Sequence, residues 1–190
     1  MTKPEGFSPV YFYEQNSLLP LTPTIPPLTS PFPIYLSTGE TLNLALINVP
    51  AVPRGWDVLL SSVINWSATF TPPETATTLT IPGYVDATFE LLRNGIILTR
   101  LTQTAVQKAT PLNTSTDFTT AVPTYEIASL LHVDTNPVLC QTNTYTLRVT
   151  NLSLVAPVVT SGTATTTAQI GSIHFVAKPV IAARPLLAEL

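Results

Sequence analysis

"DVLLSSVINWSATF", residues 57 to 70, is the stretch that decides the fold of this chain. Its apolar residues fall on even positions and alternate with mostly polar neighbours; they are Val58, Leu60, Ile64, Trp66, Ala68 and Phe70. Because successive side chains of a β-strand point to opposite faces of a sheet, this period of two predicts a long, half-buried strand. Such a strand needs a second layer to cover its apolar face.

The same alternation recurs on both sides of this stretch. The predicted inward sets are Leu42, Leu44 and Leu46 in "TLNLALINV", Tyr145, Leu147 and Val149 in "TYTLRVTNLS", and Ile173, Phe175 and Ala177 in "IGSIHFVAK". His174 is accordingly predicted to face outward. Further strands are predicted at "VDATFELL", "IILTRLTQTAV" and "TYEIASLLHV", although the last could be a short helix. Between the first two, Asn94 and Gly95 tolerate the positive φ that a two-residue type I′ hairpin turn requires.

About eight strands, long loops and abundant Thr, Val and Ile predict an all-β fold, an antiparallel jelly-roll β-sandwich with an extended Pro-rich N-terminal arm. An immunoglobulin-like sandwich is the alternative, although it has seven to nine strands in only about 100 residues. We divide the chain into an arm at 1–37, a sandwich at 38–180 and a C-terminal tail at 181–190.

The arm combines prolines with bulky apolar side chains. It holds eight of the 19 prolines, and residues 17–36 carry no charge. Proline fixes φ and removes a donor, so we expect extended backbone with polyproline II stretches. A disordered tail would leave the large apolar side chains in water. We therefore predict that the arm packs against another copy of the protein through Tyr11, Phe12, Tyr13, Leu18, Leu19, Leu21, Ile25, Leu28, Phe32, Ile34 and Tyr35.

The charge of the chain is unusually sparse. Charged residues make up 10% of it, against roughly 25% in a typical globular protein. A net charge of -3 gives little repulsion between copies, which favours self-association. The eight basic residues are scattered and form no patch for nucleic acid. No stretch of about 20 residues is apolar without prolines or many Thr and Ser, so we expect no membrane span.

Few residues suggest chemistry. His132 and Asp134 could supply two metal ligands, but no third ligand joins them at a recognisable spacing. Glu90 and Glu126 are interpreted as solvent-facing strand positions. Cys140 is the only cysteine, which excludes an intrachain disulfide; we expect a small buried side chain there, with an intermolecular disulfide as the alternative. We predict no catalytic residue, no metal site and no cofactor, and therefore no enzyme.

Four segments resemble the β-strand sequences of TNF/C1q-like jelly-roll proteins of bacterial spore surfaces, which include exosporium proteins and endospore appendage subunits. They are "RGWDVLLSSVINWSATF", "ATFELLRNG", "YTLRVTNLSL" and "QIGSIHFVAKPV". The resemblance covers about residues 40 to 180 and rests on the sequences of the predicted strands, not on an invariant chemical motif. It implies a jelly roll that assembles into trimers or rings and is laid onto the spore from the mother cell. The N-terminus shows no secretory signal, which agrees with that route.

In the appendage families an N-terminal connector joins one subunit to the next, and the arm occupies the corresponding place. Those connectors often carry cysteines, and the arm has none, so the resemblance does not extend to covalent cross-linking. The leading hypothesis is a structural subunit that forms a head-to-tail filament on a spore surface, with an anchoring or tip protein as a further candidate partner.

Two other hypotheses remain open. One is a closed trimeric C1q/TNF-like binding module whose loops around "TPPET" and "NTSTD" recognise a ligand. The other is a viral capsid protein, although Lys3 is the only basic residue before Arg54, whereas an arm that packages nucleic acid is usually basic.

Overall fold

The computed structural model of the chain describes residues 11–15, 32–73, 79–108 and 121–181, and in these ranges the regular structure is all β. The strands are β1 Tyr11–Gln15, β2 Ile34–Leu36, β3 Leu42–Val49, β4 Trp56–Thr71, β5 Leu79–Ile81, β6 Tyr84–Arg93, β7 Ile96–Val106, β8 Val122–Asp134, β9 Asn143–Val155, β10 Val158–Val159 and β11 Thr165–Ile181. The all-β prediction is confirmed. The segment "TYEIASLLHV" lies within β8, so the helical alternative for it is wrong.

Two antiparallel sheets form a β-sandwich. Sheet A has the order β1-β11-β4-β8, with β2 also paired to β11, and sheet B has the order β3-β9-β6-β7. The short strands β5 and β10 pair separately. The predicted sandwich is thereby confirmed.

The strand pairs are nested in the sequence. The β6–β7 hairpin lies inside the β4–β8 pair, which lies inside the β3–β9 pair, which in turn lies inside the β2–β11 pair. These four pairs occur in sheets B, A, B and A in turn. The chain therefore folds as one long hairpin that is wrapped across both layers.

The inward residues of β4 form the centre of the core. All six predicted positions are buried, from 0% exposure at Val58 to 2% at Trp66. The Trp66 ring packs against Phe89 of sheet B at a centroid distance of 6.0 Å, tilted by 60°. The predicted inward sets of β9 and β11 are also buried, and His174 is exposed as predicted. The period of two in these strands thus identified the face that joins the two sheets.

The prediction for β3 is wrong in one respect. Leu44 and Ala45 are both buried, whereas Leu46 is 40% exposed. The register between β3 and β9 shifts between Asn43 and Ala45, so one extra residue of β3 is accommodated there in a β-bulge. The bulge reverses the side-chain alternation and places Leu46 on the outer face.

The hairpin between β6 and β7 is confirmed. Asn94 and Gly95 have φ values of 48° and 83° and separate Arg93 from Ile96. Positive φ at both central residues is the requirement of a type I′ turn, and its twist matches that of the flanking strands.

Candidate assembly surface

An exposed apolar stripe runs along strand β8 on the outer face of sheet A. We define the β8 stripe as Tyr125, Ile127, Leu131 and Val133, which are 76%, 62%, 72% and 43% exposed. The opposite side of the same strand faces the core through Ala128. Because β8 is an edge strand, the stripe lies at the border of the sheet. Large apolar side chains that cluster on a surface are typical of interaction sites.

The rest of this face carries little charge. Leu59 of β4 lies in register between Val133 of β8 and Lys178 of β11. Across the outward positions of β4, β8 and β11, the only charged residues are Asp57 and Lys178. The stripe is therefore bordered by small, apolar or uncharged polar side chains over most of the sheet.

The outer face of sheet B has a different character. Glu90 is only 3% exposed and accepts a hydrogen bond from Nε of Arg148 at 2.7 Å, while Arg100 lies opposite it in the β6–β7 register. The prediction that Glu90 faces solvent is therefore wrong, because neighbouring strands cover it. Opposite charges on adjacent strands stabilise a sheet surface that faces water.

Threonine hydroxyls add to that polar surface. Thr88 and Thr102 are hydrogen-bonded at 2.9 Å, and Thr41 and Thr150 at 3.0 Å. Thr88 and Thr150 also lie opposite each other in register. Several outward polar groups of sheet B are thus paired within the chain, although Leu46, Tyr84 and Val106 are also 37–47% exposed there. Sheet A presents larger apolar exposures along β8, with no such polar pairing around them among the described residues.

A groove of about 390 Å³ lies on the outer side of sheet A, next to the stripe. Its lining residues are Asn65, Trp66, Ser67, Tyr125, Glu126, Ile127, Gln169 and Gly171. Gly171 is at a bulge in the pairing of β11 with β4, and its lack of a side chain leaves the groove open there. Close by, Nδ2 of Asn65 donates to Oγ of Ser172 at 2.6 Å. The groove therefore combines an aromatic wall with a floor of small and amide side chains.

The free edge of β8 is partly protected by sheet B. Gln103 of β7 accepts a hydrogen bond from Nε1 of Trp66 at 3.0 Å and donates one to the carbonyl of Ile127 at 2.9 Å. The hydroxyl of Thr124 donates to the carbonyl of Val106 at 3.3 Å. The bond to Ile127 occupies one backbone acceptor of β8 and the bond to Val106 occupies one of β7, so each edge keeps further groups that could accept a strand from another chain.

The opposite border of sheet A holds two pieces of the predicted arm. Tyr11, Phe12 and Tyr13 lie in β1, and Ile34 and Tyr35 lie in β2; both strands pair with β11 of the same chain. Tyr35 is 69% exposed, Phe32 and Ile34 pack against the core, and Leu36 is 5% exposed. The other predicted contact residues, Leu18, Leu19, Leu21, Ile25 and Leu28, lie outside the described residues.

A buried polar cluster joins the ends of three strands. The carboxylate of Asp134 accepts hydrogen bonds from Nη1 of Arg93 at 2.7 and 2.9 Å and from the hydroxyl of Tyr145 at 2.8 Å. Arg93 also donates to the carbonyl of Asn136. Burial, aided by the hydrogen bond to Asp134, raises the pKa of Tyr145 far above its ordinary value. These hydrogen bonds hold the strand ends together, although Nε of Arg93 finds no partner among the described residues.

Asp134 is thus already engaged, which weakens the two-ligand hypothesis for His132 and Asp134. Over the described ranges, no group of three or more His, Cys, Asp or Glu side chains is placed to hold a metal ion. Glu126, the second carboxylate considered, is half-buried.

The expectation of a buried Cys140 is wrong, because this residue is exposed with a φ of 63°. It lies in the turn before β9, where the side chain of Asn143 bonds both the amide and the carbonyl of Val138.

The β8 stripe was not predicted. Its signal was nevertheless present in "TYEIASLLHV", where Leu130 and Leu131 are adjacent and apolar residues occupy both alternating sets. A strand that is apolar on both faces is typical of a sheet that is covered on both sides.

No protein-family model matches the chain, and no curated protein matches it. Among solved structures, one similar chain is that of dimeric latent PorU from Porphyromonas gingivalis, with 13% identity and a TM-score of 0.38. The match covers 92% of this chain and 13% of that chain. A likeness at this level carries no argument about function. In the described part of this chain, no helix has the length and hydrophobicity needed to cross a membrane.

Proposed function

We propose that the protein is a non-enzymatic structural subunit that self-assembles, with the outer face of sheet A buried against a second copy and the N-terminal arm docked on a neighbour. The observation that carries the proposal is the β8 stripe. Four large apolar side chains, each at least 43% exposed, lie on one face. The outward positions of β4, β8 and β11 on that face carry only two charged residues, Asp57 and Lys178.

The occupant of this face is a second copy, because the face has almost no charge with which to select a charged partner. The chain itself supplies matching chemistry, since residues 17–31 are uncharged and rich in Leu and Pro. Burying the stripe removes apolar area from water, which stabilises the assembled state by roughly 25 cal/mol for each Å² buried. Sheet B, whose polar groups pair within the chain, then remains the surface that faces solvent.

The finer features of the proposal have their own support. The nested pairing, in which four strand pairs alternate between the sheets, supports a jelly roll. The proposed localisation on a bacterial spore surface, in an appendage or the exosporium, rests on the resemblance of the strand sequences to those of spore-surface proteins. Head-to-tail growth into a filament follows if the contact between copies does not close on itself.

A closed oligomer is the second candidate, since the same apolar face would also be buried in a ring or trimer of copies. A trimeric binding module of this kind would leave its loops free for a ligand. The loop "NTSTD" and the last two residues of "TPPET", at positions 74 and 75, lie outside the described residues.

The test is a pair of matched substitutions. Ile127→Lys places a charge in the stripe, whereas Ile96→Lys places the same charge at the β6–β7 hairpin tip, where Ile96 is 63% exposed compared with 62% for Ile127. Loss of an isoleucine that is largely buried between two copies weakens each contact by about 2 kcal/mol. This raises the dissociation constant about thirtyfold. Light scattering after size exclusion and negative-stain electron microscopy would report the assembled state of the full chain and both variants.

We expect the unmodified chain and Ile96→Lys to assemble and Ile127→Lys to shift toward monomers. Sparse charge at the contact also predicts little change between low and high salt. Filaments would favour the leading proposal and discrete rings the second candidate. A full chain that stays monomeric at high concentration would contradict both.

A further inference from the structure

Strands β1 and β2 lie along one edge of β11, and an unexpectedly long connection joins them. β1 pairs with β11 from Tyr11 opposite Ala177 to Gln15 opposite Ile173. β2 continues on the same strand from Ile34 opposite Ile170. The other edge of β11 is occupied by β4 along its length. The two short strands therefore follow each other in one direction along a single edge.

The connection is far longer than this pairing requires. Along β11 only Gly171 and Ser172 separate the two paired stretches, a distance of about 10 Å at ~3.3 Å per residue. The chain uses residues 16–33 to join them, which is 18 residues. At ~3.1 Å per residue in polyproline II, these could span about 56 Å. Since neighbouring strands are about 4.8 Å apart, this reach exceeds the width of sheet A.

The composition of residues 16–33 disfavours a loop whose ends meet. Six prolines occur in it, at positions 20, 23, 26, 27, 31 and 33. Proline-rich linkers act as semi-rigid spacers, and stiff loops deviate strongly from the modest closure entropy of flexible ones. Pairing β1 with its own β11 requires that closure, whereas pairing it with another copy allows the linker to run outward.

We propose that β1 is an exchanged strand, so that residues 11–15 of one copy pair with residues 173–177 of β11 in a second copy, in the register seen within the chain. The backbone bonds are the same in both arrangements, which is the condition for domain swapping. Each copy then carries one donor strand and one acceptor edge. Exchange that is not reciprocal is a head-to-tail contact and builds a filament or a ring. The inference rests on the proposed self-assembly and names the donor and the acceptor of its arm contact.

The register supplies a direct test by disulfide trapping. Glu14 lies opposite His174, and directly opposed residues of antiparallel strands fall in the distance range of a disulfide. All variants carry Cys140→Ser, because Cys140 is exposed and would cross-link on its own. Two full-length chains, a tagged Glu14→Cys and an untagged His174→Cys, are mixed under reducing conditions, allowed to assemble and then oxidised.

We expect a covalent dimer of one tagged and one untagged chain on a non-reducing gel. The matched control replaces His174→Cys with Lys178→Cys, which lies on the same strand and is also exposed, but about 13 Å further along. This control should lose the dimer. A single chain that carries both Glu14→Cys and His174→Cys should give a ladder of covalent multimers.

The same double-cysteine chain separates failure of this inference from failure of the proposed function. If the double-cysteine chain forms only an intrachain disulfide, and the two single-cysteine chains form no covalent dimer, strand exchange is overturned. Assemblies still visible by electron microscopy in that case would leave the self-assembly proposal standing on the β8 stripe. Absence of any disulfide in either experiment would also overturn the inference, because β1 would then not lie on residues 173–177 of any copy.

Discussion

Removing the hydroxyl of Tyr145 should destabilise the fold by an amount that depends on pH. In Tyr145→Phe the carboxylate of Asp134 loses a 2.8 Å donor inside the fold, where Tyr145 is fully buried. Hydrogen bonds to charged groups contribute about 1.5–3 kcal/mol. Arg93 still bonds both carboxylate oxygens and the amide of Asn136 lies 3.3 Å away, so we expect about 1.5 kcal/mol at neutral pH. For a chain of this size that corresponds to roughly 3–6 °C in melting temperature.

The pH dependence follows from the raised pKa of Tyr145, which has burial as its main cause. Above pH ~10 the unfolded chain releases the tyrosine proton while the folded chain keeps it. The unfolded state then binds fewer protons, so the free energy of unfolding falls as pH rises, by about 1.4 kcal/mol per pH unit. The contribution of Tyr145 is complete below pH ~10 and is lost above it. Phenylalanine has no proton to release, so the advantage of the unmodified chain should almost vanish near pH ~11.

Urea unfolding between pH 7 and 11, followed by tryptophan fluorescence at low protein concentration, would measure both curves. Tyr84→Phe is the control, since this tyrosine is 37% exposed and its change should stay within about 0.5 kcal/mol. A difference between the unmodified chain and Tyr145→Phe that stays constant from pH 7 to 11 would refute the reasoning.

Two further substitutions test the packing of the sandwich. Gly83→Ala should destabilise by about 1–3 kcal/mol, because an added Cβ would lie 2.8 Å from both Cδ1 of Phe70 and Cδ of Pro157 and 2.9 Å from a backbone nitrogen. Gly171→Ala, whose Cβ meets its nearest atom at 3.7 Å, should stay within about 0.5 kcal/mol in the same urea titration. Ser62→Ala should be neutral or stabilising by up to about 1 kcal/mol in thermal unfolding, because the buried hydroxyl finds no hydrogen-bond partner among the described residues; a loss above about 1 kcal/mol would show that a partner exists.

The sequence predicted the parts of the fold in which local pattern and burial agree. Alternation along β4 identified every buried apolar side chain of that strand. Asn94-Gly95 identified the hairpin, because positive φ at two adjacent residues is typical of a type I′ turn. Leu46 was misassigned because a bulge is set by pairing with β9, which local alternation does not contain. Glu90 was misassigned for a related reason, since its cover comes from arginines on other strands.

The candidate surface was harder to predict, because a strand that is apolar on both sides does not say which side faces the core. In β8, Leu130 is 4% exposed and Leu131 is 72% exposed, although the two are identical residues side by side. Only the pairing of β8 with β4 decides between them, since it turns Leu130 toward the sandwich interior. The same reasoning applies to the arm, in which composition indicated docking but not the edge that accepts it.

The two outer faces of the sandwich together explain how so few charges suffice. On sheet B, Glu90 and Arg148 pair with each other and threonines bond across strands, so that polar groups are placed where water meets the fold. Along β4, β8 and β11 of sheet A, outward charge is limited to Asp57 and Lys178, and the exposed apolar area would be a liability for a monomer. A protein whose sheet A is covered by further copies needs solubility only on its remaining surface. Under the proposed self-assembly, the low charge of the whole chain would follow from the burial of sheet A, and we expect a charge added at Ile127 to act on assembly without disturbing the core beneath it.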